Sequence, residues 1–229
     1  MNGGKAMILR RILVIFLCLG LACPVFAAEP EKYVALTFDD GPSGRFTRAL
    51  LDGLEERNAK ATFLLCGYRL KDYPKEARRI HQLGHEIGLH GFSHSCMAKM
   101  CREELEREIA DTLNLLPEGC KPVFLRPPGG DYNETVLDVA KQAGLGVLSW
   151  SVDPKDWATH DAQVIGKTVV RNVRSGDVIL LHDMSDSSVE AALSIVDELK
   201  EQGFRFVTVS ELARRKGITI EPGKVYQRF

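Results

Sequence analysis

Two adjacent aspartates, Asp39 and Asp40, close the apolar run Val34–Phe38 and lead into Gly41-Pro42. Neighbouring carboxylates repel one another, so the pair points to a divalent cation that draws on it. His90 and His94 follow in a His-x-x-x-His spacing. Two imidazoles and one carboxylate hold an ion and leave a position open for water, and the second carboxylate is then free to act as a base. The chemistry this inventory supports is hydrolysis at a metal centre. Either histidine taken alone is an ordinary exposed loop residue. Their conjunction with the paired aspartates is what makes a candidate site.

The fold must bring those residues together. The short apolar runs Val34–Phe38, Thr62–Leu65, Glu86–Leu89, Val123–Leu125, Val147–Trp150, Val178–Leu181 and Arg205–Val207 read as buried strands. Between them, apolar residues recur at helical spacing: Phe46, Leu50, Leu51 and Leu54; Leu105, Ile109, Leu113 and Leu116; Val189, Ala192, Leu193, Val196 and Leu199. Strands alternating with helices predict a parallel α/β fold, and about seven such units favour a barrel over an open sheet. Asp39 and Asp40 follow the first run, His90 the third, Arg126 the fourth, Asp153 and Asp156 the fifth, and His182 the sixth. A closed parallel barrel gathers its active-site groups at those strand ends.

The totals agree with one domain. The chain has 229 residues, 45% of them hydrophobic and 27% charged, enough for a sizeable core. A net charge of −1 leaves no basic excess to neutralise phosphates, which argues against nucleic acid as a partner. Lys5, Arg10 and Arg11 precede the apolar stretch from Ile12 to Ala22, and Val25-Phe26-Ala27 places small residues around a cleavage point at Ala27 or Ala28. Residues 1–28 therefore read as a secretory signal, with an uncleaved anchor as the alternative and the only expected tie to a membrane. The expected location is secreted or at the cell envelope, with residues 29–229 as the catalytic domain. Cys66, Cys96, Cys101 and Cys120 allow three disulfide pairings or four free thiols, and spacing does not choose between them.

The motifs resemble those of the polysaccharide deacetylases, also called the NodB-homology or carbohydrate esterase family 4 group. Thr37-Phe38-Asp39-Asp40-Gly41-Pro42 is similar to the first motif and His90-Gly91-Phe92-Ser93-His94 to the second. Arg126-Pro127-Pro128-Gly129-Gly130, Asp153-Pro154-Lys155-Asp156-Trp157 and Leu180-Leu181-His182 resemble the third, fourth and fifth. All five stand in order across Tyr33 to Arg214. The resemblance implies a distorted (β/α) barrel of seven or eight strands. It implies Asp40, His90 and His94 as metal ligands, and zinc suits imidazole best, with cobalt, nickel, iron and manganese as alternatives. It implies Asp39 as catalytic base, Arg126 as its holder, and His182 as general acid. Asp156, rather than Asp153 or Asp183, is the expected partner of His182. Gly129, Trp157 and Leu180 are the expected substrate contacts, with plain core packing the alternative for the last two.

Two positions depart from the family pattern. Gly129 stands where an aromatic residue is usual; it keeps the backbone N–H expected to face the oxyanion but loses a wall. Gly91 stands where a serine or threonine is usual. The resemblance implies hydrolysis of N-acetyl groups on an acetylated amino-sugar polysaccharide, peptidoglycan or chitin-type. An O-acetyl xylan esterase and a non-catalytic carbohydrate-binding relative are the alternatives.

Overall fold

The first apolar run shows no alternation with polar residues, and a strand apolar on both faces must be covered on both. In the computed structural model, which describes residues 31–229, this run lies within β1 (Lys32–Asp39), and only its first residue is exposed. Seven more strands follow: β2 (Ala61–Leu65), β3 (Glu86–Leu89), β4 (Phe124–Leu125), β5 (Gly146–Leu148), β6 (Val178–His182), β7 (Phe204–Phe206) and β8 (Val225–Tyr226). Their order is β6-β1-β2-β3-β4-β5-β8, with β7 pairing the first half of β1, and every strand pairing is parallel.

Among the described residues eight α-helices connect and cover them: α1 (Arg45–Glu56), α2 (Gly67–Asp72), α3 (Pro74–Gln82), α4 (Arg102–Leu113), α5 (Glu134–Gln142), α6 (Ala162–Asn172), α7 (Asp186–Glu201) and α8 (Val209–Arg215). The helical spacings of Phe46–Leu54 and Val189–Leu199 correspond to α1 and α7; that of Leu105–Leu116 corresponds to α4, which ends at Leu113 and leaves Leu116 beyond it. Among the described residues no helix is long and apolar enough to cross a membrane. The expected signal at residues 1–28 lies outside the described residues.

The expected distorted barrel is what forms, and its distortion has a local cause. The run expected as Val147–Trp150 stops as a strand at Leu148. From there the chain crosses to β6: Ser151 N donates to Val178 O at 3.0 Å, and Leu180 N donates to Val152 O at 2.9 Å. A bridge from Val152 to Ile179 thus joins the β5 side to β6 and curls the sheet round. Strand β8 escapes the sequence reading because Val225 and Tyr226 stand between Lys224 and Gln227 and form no apolar run.

Alternation along the strands decides what faces inward. Val34, Leu36 and Phe38 pack outward with α1 and α7 residues in one cluster, whereas Ala35 joins Leu64, Phe124, Leu148 and Val178 in another. Thr37 and Asp39 continue the face of Ala35 by the period of two. On β6, Ile179 and Leu181 face outward, so His182 shares the inward face with Val178 and Leu180. The register sets Asp39 opposite both Leu64 of β2 and His182 of β6. The inward face therefore begins apolar and ends in charged and imidazole groups at one rim.

Gly88 of β3 shows how tightly that interior is filled. A Cβ there would stand 2.5 Å from Leu64 Cδ1 and 2.9 Å from the Phe124 carbonyl oxygen. Overpacking of this kind costs about 1–3 kcal/mol. Gly88→Ala is expected to lower stability by that amount in a denaturant melt, with unchanged stability the result that counts against this packing.

Candidate active site

At the rim, Arg126 is completely buried, one residue beyond β4. A buried guanidinium needs partners for its donors. Arg126 Nη1 donates to Asp39 Oδ1 at 2.6 Å and to Thr37 Oγ1 at 2.8 Å. Nη2 donates to the Ser149 carbonyl at 2.9 Å and Nε to the Leu148 carbonyl at 3.3 Å. Asp39 is thereby anchored from below. Its other oxygen, Oδ2, faces His90 Nε2 at 3.7 Å.

The backbone of Arg126 orients His90. The Arg126 carbonyl lies 2.7 Å from His90 Nδ1. A carbonyl only accepts, so Nδ1 carries a proton, and in that neutral tautomer Nε2 presents a lone pair. That lone pair faces Asp40 Oδ1 at 3.3 Å, and His94 Nε2 lies 2.9 Å from the same oxygen. Neither contact is aligned as a hydrogen bond: Asp40 Oδ1 is buried and has no hydrogen-bond partner. One ligand atom from each of Asp40, His90 and His94 lies within 4.8 Å of the others. A lone pair set against an orphaned carboxylate oxygen is repulsive without a cation, so the donor set fits a divalent metal ion.

Both Asp40 (φ 71°) and His94 (φ 60°) adopt the left-handed backbone region. Such conformations cost about 1–3 kcal/mol each and persist where the surroundings enforce them. Next to Asp40, Gly41 packs on the buried Asp183 carboxylate, where a Cβ would come 2.6 Å from Oδ1. Asp183 accepts from the Thr47 hydroxyl and does not reach the His182 ring.

Asp156 holds His182 instead. Asp156 Oδ1 lies 2.8 Å from His182 Nδ1, and Oδ2 accepts from the His182 backbone N–H at 2.8 Å. Burial lowers the imidazole pKa, but Asp156 outweighs it and pushes it up to about 9. Asp153 accepts from Lys155 N and shapes the loop.

A cavity of about 440 Å³ is lined by Asp39, Asp40, His90, His94, Gly129, Trp150, Asp153, Trp157, Leu180 and His182. Nearly all the residues singled out from the sequence line it; Arg126 supports it from below, and Asp156 stands behind His182. Trp157 is 63% exposed and Leu180 is buried. Gly129 (φ 70°) has nothing within 4 Å of where a Cβ would be, so the wall is open there. A larger concavity of about 510 Å³ between Phe92 and Asp111 lacks such a convergence of ligands.

Sequence reasoning missed Thr37, the Ser149 carbonyl and Trp150. The apolar run puts Trp150 in a strand, and only the crossing to β6 brings it to the cavity. The Thr37 position was visible in principle, two residues before Asp39 and so on the same strand face. His85 is buried and accepts from Ala61 N at 3.2 Å, a structural role. Cys66, Cys96, Cys101 and Cys120 are free thiols.

The chain is similar to known proteins over most of its length. The sequence pattern of the family described as Polysaccharide deacetylase matches residues 27–148. A peptidoglycan-N-acetylglucosamine deacetylase of Bacillus cereus is 42% identical over 192 residues, spanning 81% of this chain and 90% of that protein. The peptidoglycan-N-acetylmuramic acid deacetylase PdaC of Bacillus subtilis is 35% identical over 188 residues, spanning 81% of this chain and 40% of PdaC. A solved family 4 acetyl xylan esterase from Clostridium thermocellum, in complex with cobalt, superposes with a TM-score of 0.81 at 36% identity, covering 86% of this chain and 98% of that one. Matched by the family's pattern and, over most of its length, by a peptidoglycan deacetylase, this chain is an enzyme of the polysaccharide deacetylase family.

Proposed function

We propose that the enzyme removes N-acetyl groups from an amino-sugar polysaccharide with the help of a divalent metal, and that peptidoglycan of the cell envelope is its substrate. One observation carries the reading: Asp39, Asp40, His90, His94 and His182 converge on one cavity, with an orphaned Asp40 oxygen between two imidazole nitrogens. The peptidoglycan deacetylases among its relatives and the signal-like residues 1–28 support the substrate and the location.

Asp40, His90 and His94 would hold the ion, and zinc is the metal best suited to two imidazoles. When bound, such an ion lowers the pKa of water and polarises a carbonyl oxygen. The remaining chemistry belongs to the chain. Asp39, oriented by Arg126, takes a proton from the water as its oxygen bonds to the acetamide carbon. The Gly129 N–H is the candidate donor to the oxyanion. His182, charged through Asp156, gives its proton to the sugar nitrogen as the C–N bond breaks, releasing acetate and a free amine. Trp157, Trp150 and Leu180 wall the acetyl group and sugar.

The likeness to an acetyl xylan esterase favours a second reading, O-acetyl hydrolysis. An ester leaves as an alcohol and needs less help from an acid than an amine does. Purified protein incubated with peptidoglycan, N-acetylglucosamine oligomers and acetylated xylan separates the two by acetate release. Release from the first two that chelator abolishes and zinc restores is expected. Release from xylan alone overturns the N-acetyl reading, and release unaffected by chelator overturns the metal.

Asp39→Asn is expected to lower kcat about 10²–10⁴-fold with metal still bound, the range for losing a general base; full activity removes Asp39 from that role. Arg126→Met leaves a buried carboxylate unpaired, a change that costs about 3–5 kcal/mol. It should lower the melting temperature as well as activity, and an unaltered melt rejects the anchoring role.

The pH profile tests His182. Its protonated form is the acid, so activity on N-acetyl substrate should be present below its pKa and fall as pH rises through about 9. Asp156→Asn removes the main raising partner and should move that fall toward about 6.5, the ordinary histidine value. A basic limb that stays in place in Asp156→Asn contradicts the assignment.

A further inference from the structure

The two imidazoles of the candidate metal site are held in different ways. His90 follows β3 directly, and the Arg126 carbonyl fixes its ring through Nδ1. His94 lies four residues farther on, outside any strand or helix, and its side chain is 42% exposed. Among the described residues its ring meets Asp40 and takes no hydrogen bond from another protein group. Metal-binding imidazoles usually need such an outer partner to set their orientation. For His94, the backbone of Phe92 and Ser93 must do that work.

That backbone is tied on both sides. On its carbonyl side, Gly67 N donates to Gly91 O at 2.9 Å and Tyr68 N donates to Phe92 O at 3.0 Å, both from the start of α2. On its amide side, Phe92 N and Ser93 N both donate to one atom, Glu108 Oε2, at 2.6 and 2.9 Å. Successive amides aimed at one point form an anion-binding nest, and bonds to a carboxylate are stronger than neutral ones. Glu108 reaches this point from the middle of α4, so its backbone is fixed by the helix. Gly91 makes the approach possible. It has φ 75°, and a Cβ there would stand 3.0 Å from Glu108 Oε2 and 2.8 Å from Met97 Cε.

We propose that Glu108 is the positioning residue for His94: its carboxylate locks the Phe92–Ser93 amides and so preorganises the second imidazole before any ion arrives. The inference rests on the reading that His94 binds the metal. Glu108 does not line the catalytic cavity and touches neither reacting atoms nor ion ligands directly.

The test uses the metal-free enzyme and zinc titration against a chelating dye. Glu108→Ala is expected to weaken zinc binding about 10–100-fold, the usual effect of losing an outer partner of a ligand. Amide exchange at Phe92 and Ser93 in the metal-free chain should accelerate by about tenfold or more, as for one lost charge-assisted hydrogen bond. Because a single oxygen accepts both amides, Glu108→Gln keeps the acceptor without its charge and should recover part of the zinc affinity lost in Glu108→Ala. A general structural defect would not be rescued in this way. If Glu108→Ala fails to fold, Glu108→Asp keeps charge and helix, withdraws the carboxylate by one methylene, and should show the same loss. Unchanged zinc affinity and exchange in the variant that folds overturn the proposal, as does Glu108→Gln binding as poorly as Glu108→Ala. His94→Ala separates the two readings. Zinc lost there but kept in Glu108→Ala sinks this inference alone, and zinc kept in His94→Ala sinks the metal reading and this inference with it.

Discussion

The structure turns on a positive charge sealed inside the sheet. Arg126 is fully buried, and each hydrogen-bond partner of its guanidinium is an acceptor: Asp39, Thr37 and the carbonyls of Leu148 and Ser149. Those partners come from β1, from the end of β5 and from the crossing that follows it, so one side chain joins three parts of the barrel. Buried ion pairs bring little net stability, because desolvation offsets the attraction. What this one brings is geometry. The fork sets Asp39 in one orientation, and the Arg126 carbonyl sets the tautomer of His90 through the same residue. The proposed base and one proposed metal ligand are thus oriented by one residue.

Above that anchor, the rim is built under strain and repulsion. Asp40 and His94 hold left-handed backbone, and an unpartnered Asp40 oxygen confronts imidazole nitrogens. Gly41 must be free of a side chain because the Asp183 carboxylate lies against it. Burial pushes that carboxyl up to about 7, so the neighbour of His182 serves the packing below the site while Asp156 serves the imidazole. Two acids in similar sequence positions thereby take different tasks, and the environment of each decides which.

The division of labour between the histidines has the same origin. His90 sits one residue beyond a strand and inherits its orientation from the sheet. His94 lies in a loop whose backbone is tied to the first amides of α2 and to the Glu108 carboxylate of α4. Motif spacing describes both as one unit, although the physics that holds them differs.

By itself, the sequence determined the chemistry and the class of fold. Unbroken apolar runs force strands to be covered on both faces, and the alternation within β1 and β6 already sends Asp39 and His182 to one face. The reactive residue types, and their places at strand ends, were legible for the same local reasons. Only the tertiary structure decided which acid holds His182, that Trp150 leaves its strand to wall the cavity, and that Glu108 secures the second histidine loop. Asp156 and His182 are 26 residues apart, and Arg126 and Asp39 are 87. Periodicity reports on neighbours within one element. Partnerships across elements depend on how the sheet curls and where the chain crosses to close it, and no local pattern carries that information.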